Sequence, residues 1–254
     1  MSFFAIIGRI FIKFLRSIGH FGIFFAQMIR AFFAKPYMKA FGRQLLEVGL
    51  FSLPVVGLTA IFTGAVLALQ SYTGFSRLNA ESAIASVVAL SITRELGPVL
   101  AGLMIAGRVG ASIAAEIGTM RVTEQVDALS TLNTDPMRYL VTPRIAAGIL
   151  MMPILVIVAD IIGIFGGYLV AVYKLNFSPY LYLSNTFDIL QNKDVYSGLI
   201  KAAAFGFIVT CMGCYHGYYS KGGAQGVGNA TTNAVVTSSI LILITNYIIT
   251  GLLF

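Results

Sequence analysis

The sequence predicts an all-α integral membrane protein with about five transmembrane helices, and two observations support this fold class. Of the 254 residues, 57% are hydrophobic and only 11% are charged, whereas a soluble domain carries about 25% charged residues. The charges are also missing from long runs: none occurs at 48–76 or 222–254, and Asp160 is the one charge at 145–173. Roughly 20 apolar residues suffice to cross the hydrocarbon core as a helix. We interpret residues 1–254 as a single membrane domain.

The N-terminal segment, residues 1–46, is basic and rich in Phe and Ile, with seven Lys or Arg residues and no acidic residue. Arg9, Lys13 and Arg16, with His20, form one polar stripe on an otherwise apolar helix. This pattern is typical of a helix that lies in the membrane surface. Nucleic-acid binding and a cleaved signal peptide fit less well, because Phe and Ile dominate and the positive charges follow the first apolar residues. Pro36 predicts a second short helix, so one helix or two remain possible.

The predicted transmembrane bundle covers residues 48–253. Its spans lie at about 48–72, 83–107, 144–173, 197–219 and 229–253. The basic N-terminal segment predicts a cytoplasmic N-terminus, and five spans then put the C-terminus outside. The distribution of Lys and Arg agrees with this topology: twelve lie on the predicted cytoplasmic side, three outside and two, Arg94 and Lys201, at membrane depth. Small residues at four-residue spacing, such as Ala60, Gly64 and Ala68, predict close helix packing.

The middle of the second predicted span carries Arg94 and Glu95, followed by Pro98. Ionisable groups at membrane depth are costly and usually face a cavity or a partner. Pro98 cannot donate a hydrogen bond to the carbonyl of residue 94, so the helix should be kinked or opened there. The pair could be a substrate-facing or gating site, or it could be satisfied inside the bundle. Asp160, in the third span, could pair with Arg94, bond a neighbouring helix, or face the substrate cavity and handle a ligand or a proton.

A polar connection follows the second predicted span. Read as a helix, Glu116–Leu129 places on one side Val122, Val126 and Leu129, and on another Arg121, Glu124 and Asp127. An amphipathic helix with an apolar ridge could dock in a groove of another protein. A solvated surface loop is the alternative.

Several catalytic signatures are missing from the sequence. There is no G-x-x-x-x-G-K-[ST] motif, so the chain does not bind a nucleotide through a P-loop. Neither H-E-x-x-H nor G-x-S-x-G occurs. The pair Cys211 and Cys214 lies in an apolar run without a second Cys or His pair, which predicts helix packing and no metal site. We therefore predict that the chain is not an enzyme.

Two stretches in the centre of the chain resemble the MlaE/YrbE family of ABC transporter permeases. They are Val88-Ala-Leu-Ser-Ile-Thr-Arg-Glu-Leu-Gly-Pro98 and the run from Ala106 to Leu129. The resemblance continues in later segments and covers nearly the whole chain; these segments are Asp135-Pro136, Pro143-Arg144, Gly163–Gly167 and Ala230–Ser239.

The resemblance implies a permease subunit of a system that moves phospholipids between the inner and outer membranes of Gram-negative bacteria. Such permeases lie in the inner membrane and act as a pair. Two cytoplasmic ATPase subunits bind the ATP and Mg, so this chain is expected to bind no cofactor itself. An MCE-domain lipid-binding protein lies on the outer face, and some systems add a STAS-domain protein.

The resemblance also suggests roles for individual residues. Arg94 and Glu95 match charged positions near the family's lipid cavity. Further lining candidates at the outer end of the first span are Leu67, Gln70, Phe75 and Leu78. The segment that resembles the family's ATPase-coupling helix contains Glu116, Gly118, Met120, Arg121, Thr123, Glu124, Gln125, Asp127 and Leu129. The alternative function is an ion-coupled secondary transporter or channel that uses Arg94, Glu95 and Asp160.

Overall fold

The computed structural model describes residues 3–33, 37–78 and 83–253, and within them the regular structure is helical. The side chains of Arg9, Lys13 and Leu78 lie outside the described part, so the predictions for these three side chains stay predictions. Five helical segments of the described residues are long and apolar enough to cross a membrane. They are Met38–Phe75, Ala83–Val122, Met137–Tyr173, Asn192–Tyr218 and Gly223–Leu253. The predicted number of spans is confirmed.

Two helices precede the first apolar run, which decides between one helix and two. They are α1 (Phe3–Phe32) and α2 (Met38–Val48). Helix α1 packs on the bundle through Phe24, whose ring centroid lies 5.5 Å from that of Tyr215 and 6.2 Å from that of Tyr219. Arg16 is exposed, as a polar stripe requires. Helix α2 continues through a tight turn at Leu50–Ser52 into α3 (Leu53–Phe75), so it forms part of the first span.

The helix that contains the second span is much longer than the predicted span, and it changes pitch twice. Helix α4 (Ala83–Ser91) is followed by a π-helical turn at Ile92–Leu96, α5 (Gly97–Ile105), a second π turn at Ala106–Gly110 and α6 (Ala111–Val122). A π turn carries one extra residue and often marks a functional site. The helix continues beyond the predicted end of the span near residue 107, because α6 extends into the polar stretch. There, α6 is held against other helices along one face.

Helices α8 (Thr142–Tyr173), α10 (Asn192–Tyr218) and α11 (Gly223–Leu253) complete the bundle. Helix α10 lies in its middle and contacts α6, α8 and α11. The predicted small-residue faces are confirmed between α3 and α8. A Cβ atom on Gly64 would overlap the carbonyl of Gly163, and one on Gly166 would overlap the carbonyl of Ile61. Missing side chains let these two backbones touch.

The two ends of the bundle carry different short helices. Helix α7 (Gln125–Thr131) lies between the second and third spans, and α9 (Pro179–Ile189) lies between the third and fourth. We call these the α7 end and the α9 end. Helix α9 packs on α4 and α8 through the buried Tyr182, and burial raises the pKa of this phenol to about 12. The connection between the third and fourth spans therefore contains a docked helix.

Candidate functional site

The charged pair of the second span lies on its first π turn, Ile92–Leu96. Pro98 has no N–H group, so the carbonyl of Arg94 lacks its helical donor. Lys201 of α10 replaces that donor, since its Nζ atom donates to the Arg94 carbonyl oxygen at 2.9 Å. Pro98 predicted a kinked or opened helix at this point; the structure has a π turn directly before Pro98, and a side chain from another span supplies a donor there.

Glu95 is the centre of a polar cluster made by three spans, which we call the Glu95 cluster. Its carboxylate accepts hydrogen bonds from Lys201 Nζ at 2.7 Å, Asn246 Nδ2 at 2.9 Å and Thr250 Oγ1 at 3.0 Å. Lys201 is fully buried, whereas 38% of the Glu95 side chain is exposed. The lysine charge is therefore neutralised inside the bundle, while part of the carboxylate side chain remains accessible.

Arg94 points to a different partner from that of Glu95. Its Nε atom donates to Asp194 Oδ1 at 2.6 Å, and its Nη2 atom lies 2.5 Å from the same oxygen. Asp194 is buried and its Oδ2 also accepts from the backbone N–H of Gln191 at 3.0 Å, which caps α10. The ion pair thus ties the π turn to the beginning of the fourth span.

Arg94 and Glu95 combine features of both interpretations proposed from the sequence. Each has an oppositely charged partner from α10, as a structural pair would. Each also keeps about a third of its side chain exposed, 35% for Arg94 and 38% for Glu95. A charge at membrane depth that stays partly open is typical of a group that faces a cavity or a second protein surface.

The lining candidates on the first span lie beside the π turn. Leu67 and Phe75 pack against a small apolar cluster that contains Ile92, the first residue of that turn. Gln70 is exposed. The hydrogen-bond partners of Glu95 come from α10 and α11. Among the described residues, α3 therefore contributes apolar packing beside the π turn and no hydrogen bond to Glu95.

Asp160 lies on α8 beside Gly97, the residue that follows the same turn. Its Oδ1 atom is buried without a hydrogen-bond partner in the described part, and a Cβ atom on Gly97 would overlap it. The carboxylate that pairs with Arg94 is that of Asp194, so the predicted pairing of Asp160 with Arg94 is not the arrangement observed.

A second set of charges lies near the α7 end. Arg144 is buried, and its Nη2 atom lies 2.7 Å from Oε2 of Glu116. Arg108 donates from Nη1 to Ser52 Oγ at 2.7 Å and to the Glu47 carbonyl at 3.2 Å. These bonds link α6 to α8 and the second π turn to the start of the first span.

The predicted coupling segment is two helices, so its interpretation as one helix is wrong. Helix α6 ends at Val122, and Glu124 has a left-handed backbone with φ +61°. A left-handed residue ends an α-helix. Across this turn Arg121 Nη1 bonds Asp127 Oδ1 at 2.5 Å, while Val126 is buried. Across this bend, the apolar Val126 is still buried, while the charged Glu124 and Asp127 are exposed.

The remaining residues of the coupling segment differ in their surroundings. Gly118 lies against Ser220, whose Cβ would be 3.4 Å from a Cβ on the glycine. Met120 lines a cavity of about 790 Å³ beneath α2. Thr123 Oγ1 donates to the Thr119 carbonyl at 2.8 Å. Gln125 is exposed and Leu129 is half-buried.

Sequence reasoning missed most of the Glu95 cluster. Lys201 stood out as a charge at membrane depth, but nothing along the chain assigned it to Glu95. Asp194 follows the amide-rich start of the fourth span and resembles a surface residue. Asn246 and Thr250 are polar groups within an apolar helix, spaced four apart on one face. That spacing was the one available signal of a shared partner.

Comparison with known proteins assigns the chain to a family. The model of a family described as "Permease MlaE" matches residues 41–252. This chain belongs to the MlaE permease family. It is an ABC transporter permease by that membership and a multi-pass membrane protein by its five apolar spans.

Individual relatives are similar to this MlaE-family chain over most of its length. A probable ABC transporter permease protein of Rickettsia felis is 63% identical over 249 residues, covering 98% of this chain and 96% of the relative. A probable ABC transporter permease protein of Synechocystis is 44% identical over 211 residues, 83% of this chain and 80% of that protein. The intermembrane phospholipid transport system permease protein MlaE of Haemophilus influenzae is 35% identical over 263 residues, covering 100% and 98%.

Proposed function

We propose that this chain is the permease subunit of an ABC transporter that moves phospholipids between the inner and outer membranes. The observation that carries the proposal is the match over the whole chain to an MlaE protein named for intermembrane phospholipid transport. The inner membrane is the corresponding location. Transport energy comes from a separate ATPase subunit that binds ATP and Mg, and this chain provides the path for the lipid.

The Glu95 cluster supports a lipid path between two copies of the chain. Glu95 and Arg94 are partly exposed at membrane depth, where an uncovered charge is costly. Beside them α11 exposes large apolar side chains, including Leu243 at 54% and Tyr247 at 82%. In the proposed dimer these faces of two copies enclose a central cavity. Its charged groups meet the phosphate and its apolar walls, with Leu67 and Phe75, meet the acyl chains.

The α7 end supports contact with the ATPase. Basic side chains collect there, at Arg43, Arg121, Arg138 and Lys221, which favours the cytoplasmic side by the positive-inside rule. The N-terminus then lies in the cytoplasm and the C-terminus in the periplasm. The bent segment around Glu124 is exposed and accessible to a cytoplasmic partner.

In the proposed cycle, ATP binding closes the two ATPase subunits, and the segment around Glu124 transmits that motion. Helix α6 is continuous with the π turn through the second span, so displacement of the α7 end reaches Arg94 and Glu95. The central cavity then changes shape and exchanges a phospholipid with an MCE-domain protein at the α9 end. A STAS-domain protein on the ATPase is a further proposed partner.

Affinity purification in mild detergent tests the proposal. The tagged chain should bring down a P-loop ATPase, and reconstituted complexes should transfer phospholipid only with ATP. Glu124→Lys should reduce ATPase binding or lipid-stimulated hydrolysis several-fold, with unchanged membrane insertion. Asp188→Lys is the matched control, because Asp188 is an exposed acid on α9, at the opposite end. Transfer by the purified chain without an ATPase, or equal effects of the two variants, would contradict the assignment.

A further inference from the structure

An apolar cleft opens on the flank of the bundle, between α8, α9 and the beginning of α10. Its volume is about 540 Å³, within the range of roughly 300–1,000 Å³ that is usual for ligand sites. The walls are aliphatic and aromatic, with Ile164, Tyr168, Leu183 and Leu190 among them. We call it the lateral cleft.

Asp160 and Thr93 supply polar groups at the lateral cleft. Thr93 Oγ1 already donates to the Ala89 carbonyl at 2.8 Å. Oδ1 of Asp160 is buried and accepts no hydrogen bond from the described residues. A buried polar atom without a partner is rare and calls for an explanation. Asp160 itself lines the lateral cleft, whose volume is large enough for a ligand.

The outer edge of the lateral cleft identifies the molecules that can reach it. Ile161 is 64% exposed, Phe165 51% and Phe187 73%. Ile161 and Phe165 belong to a membrane-spanning helix, so their exposed faces meet lipid. An acyl chain is therefore the group present in high concentration at the mouth of this cleft. The carboxylate of Asp160, which lines the cleft, then favours lipids that carry a hydrogen-bond donor.

We propose that the lateral cleft binds one phospholipid from the bilayer, with an acyl chain against its apolar walls and an ammonium donor of the head group at Asp160. The site is separate from the Glu95 cluster, but the two share a wall. Thr93 faces the lateral cleft, and the next two residues, Arg94 and Glu95, bond α10 and α11. The proposal concerns binding and does not depend on the transport activity proposed above.

A tryptophan reporter tests the proposal, because the chain contains no Trp. Tyr168→Trp places the reporter in the half-buried wall of the lateral cleft. Phe62→Trp, on the lipid-exposed side of α3, is the matched control. The full-length variants are reconstituted in phosphatidylcholine nanodiscs that contain increasing fractions of either brominated phosphatidylethanolamine or brominated phosphatidylcholine. Helicity by circular dichroism and a single elution peak verify folding.

The ethanolamine lipid should quench the fluorescence of the Tyr168→Trp variant at about tenfold lower mole fraction than the choline lipid, which lacks an N–H donor. The Phe62→Trp control should show equal quenching by the two lipids. Asp160→Leu in the reporter background should abolish the preference, whereas Asp160→Asn, which keeps a carbonyl acceptor, should retain part of it.

Two outcomes would overturn the proposal. Equal quenching of the cleft reporter by both lipids, unchanged by Asp160→Leu, would show that Asp160 selects no lipid. A cleft reporter that neither lipid quenches, with the control quenched normally, would show that lipid does not enter the lateral cleft. The second result would instead favour a partner's transmembrane helix as occupant.

Discussion

Replacement of Lys201 by Met tests how much the Glu95 cluster contributes to stability. Methionine keeps the length and apolar stem of the buried lysine and removes its three donors. Two bonds are lost, the one to Glu95 at 2.7 Å and the one to the Arg94 carbonyl at 2.9 Å. The second loss is specific to this fold, because Pro98 leaves that carbonyl without a helical donor.

The expected destabilisation is about 3 kcal/mol. A hydrogen bond to a charged group contributes about 1.5–3 kcal/mol, and a buried carbonyl left without a donor costs about 1–3 kcal/mol. Glu95 keeps its bonds from Asn246 and Thr250 and is 38% exposed, so the contribution of the lost Lys201–Glu95 bond lies near the lower limit of its range. For a chain of this size, about 3 kcal/mol lowers the melting temperature by roughly 6–12 °C.

Thermal unfolding of the detergent-solubilised protein, followed by size-exclusion chromatography, measures the shift. Lys221→Met is the matched control, because Lys221 is exposed, and it should change the melting temperature little. Glu95→Gln in the Lys201→Met background removes the uncompensated carboxylate and should recover part of the loss, as a double-mutant cycle of coupled residues requires. The reasoning would be refuted if Lys201→Met had the same melting temperature as the control variant. It would also be refuted if the losses of stability in the single variants Lys201→Met and Glu95→Gln simply added up in the double variant.

Three further predictions follow from local geometry. Gly64→Ala should lower the melting temperature strongly, because its Cβ would overlap the Gly163 carbonyl, whereas Gly74→Ala, with open space around it, should be neutral; parallel melts decide. Glu124→Gly should stabilise the fold by about 1 kcal/mol by relieving the left-handed backbone, and Glu124→Val should destabilise it; unfolding of both variants checks the order. Arg144→Met should lower the free energy of unfolding by about 2 kcal/mol. This is less than the loss expected for a fully buried ion pair, because the carboxylate partner, Glu116, is 44% exposed. Unfolding at the same stability as wild type would exclude a structural role.

The sequence was sufficient for the parts of the fold that depend on local chemistry. The five apolar runs predicted the five spans, since hydropathy and length alone decide whether a segment can cross a membrane. Pro98 predicted the opened turn of the second span, because the missing N–H is a property of that residue. The small residues around Gly64 predicted a close helix contact. The central motif identified the permease family.

The bounds of the elements depended on tertiary packing. The helix of the second span continues to Val122, beyond the predicted end of the span, because one face of α6 packs in the bundle and its charges bond neighbouring segments. The turn at Glu124 likewise depends on burial of Val126 and on the bond between Arg121 and Asp127. Periodicity along the chain contains no information about such contacts.

By itself, the sequence determined that this chain is a membrane protein, how many times it crosses the membrane, and which charged residues lie at membrane depth. Only the tertiary structure decided which charges meet: Arg94 pairs with Asp194, 100 positions away, and Glu95 with Lys201, 106 positions away. It also left an oxygen of Asp160 unpaired beside an apolar cleft. The reason is physical: hydropathy acts on each segment separately, whereas an ion pair requires two atoms within a few ångströms, and that distance is set by the packing of all the helices together.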